Sequence, residues 1–213
     1  FVGGVVAMVV YAATEAAFLD TLDALEAIFR SRPFVLGERP SEADFGFFAS
    51  MFRHFLCDPV SGRIVRGRAP AVQEWAARLW NLTPARFAAA PPVVSVPDDV
   101  QPLLDAVAAV YLPYLAAMAA ALDAGRKRVT YRAQGVDWKE PVKPYRVWCL
   151  AELQRRFAAL DADARDAVGA RLGAAPTAIL AAPPVAHEAP PFAALPLRGA
   201  SGRRPADSWW RGG

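Results

Sequence analysis

Apolar residues recur at spacings of three and four through most of residues 14–173, the signature of helices that bury one face. Over 14–30, Phe18, Leu22, Leu25 and Phe29 share a face, Asp20, Asp23 and Glu26 lie mostly elsewhere, and Pro33 closes the run. Over 70–81, Pro70 suits a first helical turn, and Val72, Trp75, Ala76 and Leu79 form the stripe. Over 99–123, Asp98 or Asp99 is placed to cap and the period runs from Leu103 to Leu122; Pro113 inside it predicts a kink or a break. Over 144–160, Pro144 opens a helix with Cys149, Leu150, Leu153, Phe157 and Leu160 inward. Asp161 then caps a last short helix that Gly173 ends.

Two stretches depart from the helical period. Residues 82–97 read as a surface loop, and 128–140 alternate around Gln134–Gly135 as a short hairpin does. Beyond residue 173 the chain changes character: 174–213 hold seven of the nineteen prolines and four arginines against two acids. Proline in such density blocks helices and ladders, so this segment reads as an extended, mostly disordered tail. Its Arg203, Arg204, Trp209, Trp210 and Arg211 are either solvated or dock on a partner or an anionic surface. The organisation is a helical core over 1–81, a helical extension over 82–173 packed on it, and the Pro/Ala-rich tail. The fold class is all-α, a helical bundle with the hairpin near 128–140 as its one departure.

The segment 33–59, PFVLGERPSEADFGFFASMFRHFLCDP, carries the most specific local signal. Ser41 stands three residues before Asp44 and an apolar run follows, which is a capping box. The Ser41 hydroxyl accepts from the Asp44 N–H in such a box, and the Asp44 carboxylate accepts from the Ser41 N–H. From Phe45 to Cys57 only Ser50, Arg53 and His54 break the apolar run. A helix without a polar face belongs in the middle of a bundle, with its first N–H groups capped because water cannot reach them.

Composition narrows the class. With 213 residues and 54% hydrophobic side chains the chain can bury a real core. Basic and acidic residues nearly balance at +3, so nucleic-acid binding has little electrostatic support. Cys57 and Cys149 form no CxxC and read as small buried hydrophobes in a reducing compartment, and with only His54 and His187 no metal site is expected. Phe1–Ala13 is uncharged but shorter than the roughly 20 residues a membrane span needs, and it lacks a signal-peptide pattern; it reads as a buried helix or the cut end of one. The chain opens on Phe1, as a processed or internal start does.

Several residue groups admit a functional and a plain reading. His54 is a ligand contact or an edge histidine. Cys57 is a thiol for a mixed disulfide or inert, and its place at the far end of the capped helix disfavours a thiolate. Arg126-Lys127-Arg128 is an anion site or a solvated helix end. Tyr131, Trp138, Tyr145 and Trp148 line a pocket or pack a core. Ser41 and Asp44 are explained by capping, and no catalytic or substrate-binding residue is assigned.

The combination of Phe34, Leu36, Gly37, Ser41, Ala43 and Asp44, followed by Ala69-Pro70, Val72 and Trp75, resembles the helical C-terminal domain of the glutathione transferase superfamily. The likeness is good over about residues 14–81, weaker over 82–173, and does not reach the tail. It implies an N-terminal thioredoxin-like domain in the parent chain, which binds glutathione as co-substrate and activates its thiol. No βαβ pattern precedes residue 14, so the glutathione site and its activating residue are not expected in this chain, which is expected to bind no cofactor. The resemblance also implies a cytoplasmic protein, often a homodimer. The other reading is a non-catalytic helical interaction module.

Overall fold

The computed structural model describes residues 2–185, with side chains from Tyr11 onward. The expected tail residues 186–213, with His187, Arg203, Arg204, Trp209, Trp210 and Arg211, lie outside the described residues. The architecture is all-α with one small two-stranded antiparallel sheet.

Helix α1 (Val2–Ser31) extends the predicted 14–30 helix toward the start of the chain. It buries Leu22, Leu25, Ile28 and Phe29, the stripe its spacing sets. Helix α2 (Glu42–Ser50) passes into a π-helical turn at Met51–Leu56, followed by α3 (Pro59–Arg68) and α4 (Pro70–Trp80). Helix α4 buries Val72, Trp75, Ala76 and Leu79, and Trp75 stacks on Phe29 at 4.6 Å between ring centres. Ala69 has no side chain able to cap α4. Glu26 of α1 does so from across the core: its carboxylate accepts from the Ala71 and Val72 N–H groups at 2.8 and 3.3 Å and pairs with Arg30 at 2.8 Å.

The run Phe45–Cys57 departs from the sequence reading in two ways. It is not α throughout, since the π turn takes over at Met51, and it is not central. Phe45 is 53% exposed, and Ala49 and Cys57 are exposed; only the inner side, with Met51 buried and Phe47, Phe48, Phe55 and Leu56 half-buried, meets the core. An unbroken apolar pattern asks for cover on every side, and no described residue supplies it on the outer side. The π turn ends where Ser61 Oγ donates to the Phe55 carbonyl at 2.8 Å and Gly62 passes the Leu56 carbonyl. A Cβ at Gly62 would lie 2.7 Å from that oxygen, so only glycine admits the approach.

The second half holds α5 (Gln101–Ala106), a π turn at Val107–Tyr111 and α6 (Leu112–Asp123), joined without interruption after a 3₁₀ turn at Asp98–Val100. The predicted disturbance at Pro113 thus takes the form of a π turn just before it. Neither aspartate caps the helix. Asp99 forms a bidentate pair with Arg32 (2.6 and 2.7 Å) and Asp98 pairs with Arg171 (2.7 Å), which ties both to distant elements instead. By length and composition Asp98–Asp123 could cross a membrane, which the sequence reading did not foresee; here Leu103, Leu112, Leu115 and Met118 are buried in protein cores.

Strands β1 (Arg128–Ala133) and β2 (Val136–Pro141) form the predicted hairpin. Gln134 and Gly135 at its tip have φ of 52° and 75°, the two positive values that a two-residue type I′ turn needs. Helix α7 (Pro144–Ala158) packs Val147 and Leu150 against Leu115, Met118 and Val129. Asp161 caps α8 (Ala162–Leu172) through the Ala164 N–H at 2.8 Å. Leu160, expected inward, is at the surface in the turn between these helices. Residues 174–181, expected in the extended tail, form α9 (Ala174–Ala181), which Gly173 opens at φ 81°. The buried Gln154 of α7 holds this end: its amide donates to the Ile179 carbonyl (3.0 Å) and accepts from the Val185 N–H (3.1 Å).

Candidate functional site

Asp44 is the polar centre of the first core, with no exposed surface. Both halves of the capping box with Ser41 are in place. One carboxylate oxygen accepts from the Ser41 N–H (2.8 Å) and also from the Ser41 hydroxyl (2.7 Å). The other accepts from the Val35 N–H (2.9 Å) and from Trp75 Nε1–H (3.0 Å). Sequence spacing pointed to the local bonds; the links to Val35 and Trp75 need the fold. The carboxylate therefore ties the loop before α2 and helix α4 to one point. Its acceptor sites are filled by protein donors, so it is a structural anchor and not a reacting group.

A different arrangement lies where the two halves meet. A cleft of about 320 Å³ opens between α1, α2, the second π turn and the hairpin. Thr21, Phe47, Leu103, Val107 and Val110 form apolar walls, and the rings of Tyr111, Tyr114 and Tyr131 form one side. Tyr114 lies between the other two, with ring centres at 6.4 Å from Tyr111 and 4.9 Å from Tyr131.

The hydroxyl ends of these rings meet a charged group. Tyr131 donates to Glu140 at 3.1 Å, and Lys143 pairs with the other Glu140 oxygen at 2.6 Å. Tyr111 neighbours Arg146 and Cys149, and Tyr114 neighbours Glu140 and Arg146. Burial raises all three phenols, and Glu140 pushes Tyr131 further, well above the ordinary phenol range. Burial works against the Glu140 charge, yet Lys143 and then Tyr131 hold its carboxyl below the usual range. At neutral pH the cleft thus presents protonated phenols, and none of these groups is a base poised for proton abstraction. The arrangement suits binding.

The other sequence candidates fall elsewhere. His54 and Cys57 are exposed on the outer side of the first π turn. Arg126, Lys127 and Arg128 are exposed after α6. Of the four aromatics read together, Tyr131 lines the cleft; Trp138 opposes it across the hairpin and donates to the Ala133 carbonyl (3.2 Å), while Tyr145 and Trp148 stack on each other at 5.6 Å. Among the described residues no group of three His, Cys, Asp or Glu side chains could hold a metal ion. Tyr111 and Tyr114 were read in sequence only as members of a helical stripe. The π turn that ends at Tyr111 leaves no mark in the spacing.

Residues 9–78 match the family model for the glutathione S-transferase C-terminal domain. This segment belongs to that family. It spans α1 from residue 9 through most of α4 and includes the whole Asp44 node. No curated protein and no solved structure matches the chain. Thr21 and Phe47 are the cleft residues inside the glutathione transferase segment; the others come from the extension. The cleft lies on the seam between the family domain and what this chain adds to it.

Proposed function

We propose that the chain is the helical part of a glutathione transferase-like protein whose thioredoxin-like domain supplies glutathione. In the cytoplasm the parent forms a bond from the glutathione sulfur to an electrophilic carbon, by addition with the thiol proton passing to the adjacent atom or by displacement with the leaving group taking the proton, or reduces its substrate with two glutathiones that end as their disulfide. The chain itself contributes the pocket for the second substrate, and the tyrosine cleft is the apolar opening best suited to it. The single observation that carries the reading is the family match over residues 9–78, with Asp44 at the centre of that segment. Support also comes from Phe45 on the outer side of α2 and from Trp80 at the end of α4, which stacks on Phe52 and is 64% exposed. An apolar side of this kind fits a partner domain or a second copy.

The test is the coding sequence upstream of Phe1 together with retention on immobilised glutathione. The expected outcome is an in-frame thioredoxin-like domain, retention of the joined protein, and passage of the present chain alone. An upstream frame without such a domain, or a joined protein that passes through unretained, supports the interaction-module reading instead.

A further inference from the structure

We propose that the chain's own tail docks, through Phe192, Leu195 and Leu197, in the groove between α6, α7 and α9. The groove lies wholly in the extension, so the proposal stands apart from the glutathione reading.

The described chain ends in the wall of this groove. Its volume is about 580 Å³, larger than that of the tyrosine cleft. Ala116, Ala119 and Ala120 of α6, Val147 and Leu150 of α7 and Ile179 of α9 give it an apolar floor. Val185, the last described residue, borders it and packs on the same core as Val147 and Leu150. The exit of the chain is fixed there, because the Val185 N–H donates to the buried Gln154 at 3.1 Å. The Gln154 amide N–H donates in turn to the Ile179 carbonyl at 3.0 Å. Gln154, the polar side chain of the floor, is thus satisfied from both ends, which favours an apolar occupant and gives a polar small molecule little to hold.

Residues 186–213 continue from that point. Their first long apolar run is 190–197, PPFAALPL, which carries no charge. Phe192 stands seven residues after Val185, a reach of up to ~23 Å in an extended chain. The side of α6 from Ala116 to Asp123 is only about 10 Å long, so the first anchor can reach any point of the groove and the stretch to Leu197 can line it. Three of the eight residues in the run are proline and two are alanine, which lose almost no side-chain freedom on docking, and the fixed φ of proline lowers the backbone cost as well. The tether holds the run beside the groove at an effective concentration on the order of millimolar, which favours this chain's own tail over that of a second copy. Charge agrees with the placement. Asp123 at the rim makes no ion pair among the described residues, and Arg198 directly follows the last anchor.

The test places the photoreactive benzoylphenylalanine at position 192 of the full chain, irradiates the purified protein and maps the links by mass spectrometry. The expected links run within one chain to groove residues of α6, α7 and α9. They should be lost in Ala120→Arg, which fills the groove from an exposed position and should keep the parent melting curve. They should also be lost when Leu195→Ser and Leu197→Ser are combined, a change that leaves every described contact in place. An absence of links, or links to any other part of the chain, overturns the docking. Links between two copies overturn the assignment of the groove to the chain's own tail. Links that survive Ala120→Arg in a variant that melts like the parent overturn the groove as the seat. If that variant is unfolded, the tail pair decides, and links that survive it overturn the anchoring by Leu195 and Leu197.

Discussion

Asp44 and Arg146 are both charged side chains set among apolar neighbours, and their surroundings differ in kind. Asp44 is fully enclosed, and its two oxygens receive four protein donors. Arg146 is half-enclosed, and no carboxylate reaches it among the described residues. A buried charge whose partners are all internal specifies a fold; a half-buried one without an ion pair keeps its head in water and fixes little. The first lies wholly in the segment that matches the family, the second in the extension.

The comparison predicts opposite consequences for removing each charge. Asp44→Ala strands the Val35 N–H, the Ser41 N–H and the Trp75 indole N–H in a dry core, and should cost about 3–5 kcal/mol in chemical denaturation. Ser41→Ala leaves the carboxylate its other three donors and should cost about 1 kcal/mol. Arg146→Gln should leave the denaturation midpoint nearly unchanged. If Asp44→Ala is as stable as the parent, the anchor is not the centre of the first core.

Next in size is Glu26→Ala. Glu26 does for α4 what Asp44 does for α2, but from a neighbouring helix. Its removal should destabilise by about 1–2 kcal/mol, the range of a lost N-cap. The loss should appear first as faster amide exchange at Ala71 and Val72, and unchanged protection there would refute the role.

These residues also show what the sequence discloses. The Ser41–Asp44 spacing announces its box because both partners are local. Glu26 looks like a solvent-facing acid of an amphipathic helix, since nothing in the spacing of 14–30 says that α4 starts beside it. Asp98 and Asp99 have the composition of caps, yet Arg171 and Arg32 take them from 73 and 67 residues away. The helices themselves follow from periodicity, and the hairpin from Gln134–Gly135. The π turns do not, because one extra residue in a turn is a backbone adjustment to packing and leaves the side-chain pattern intact. The cleft depends on one of those turns, so its tyrosines read as core.

The Asp99–Arg32 pair sharpens the contrast at smaller scale. The Arg32 guanidinium holds the Asp99 carboxyl below its ordinary value, so folding keeps it ionised at lower pH than the unfolded chain does. Its stabilisation is complete above the unfolded carboxylate pKa near ~3.9 and is lost as pH falls through the lower folded value. Asp99 is 41% exposed, so solvent screening limits the effect to under about 1 kcal/mol. Asp99→Asn should lower stability at pH 7 by that amount and flatten the acid limb of the stability curve. An acid limb of unchanged slope would show that other carboxylates carry it.

The smallest expected effect tests the cleft's edge through its backbone. Gln134 occupies the first positive-φ position of the type I′ turn and also borders the cleft. Glutamine is strained at φ 52°, whereas asparagine visits this region readily and Asn-Gly is the favoured pair for the turn. Gln134→Asn should therefore stabilise the hairpin by a few tenths of a kcal/mol, up to about 0.5. The shorter side chain also leaves the cleft wider at that edge. Because the hairpin carries Tyr131 and Glu140, a firmer turn should hold the tyrosine wall in place and slow its amide exchange. A variant whose amide exchange at Tyr131 is as fast as in the unchanged chain would show that the turn does not set the firmness of the tyrosine wall.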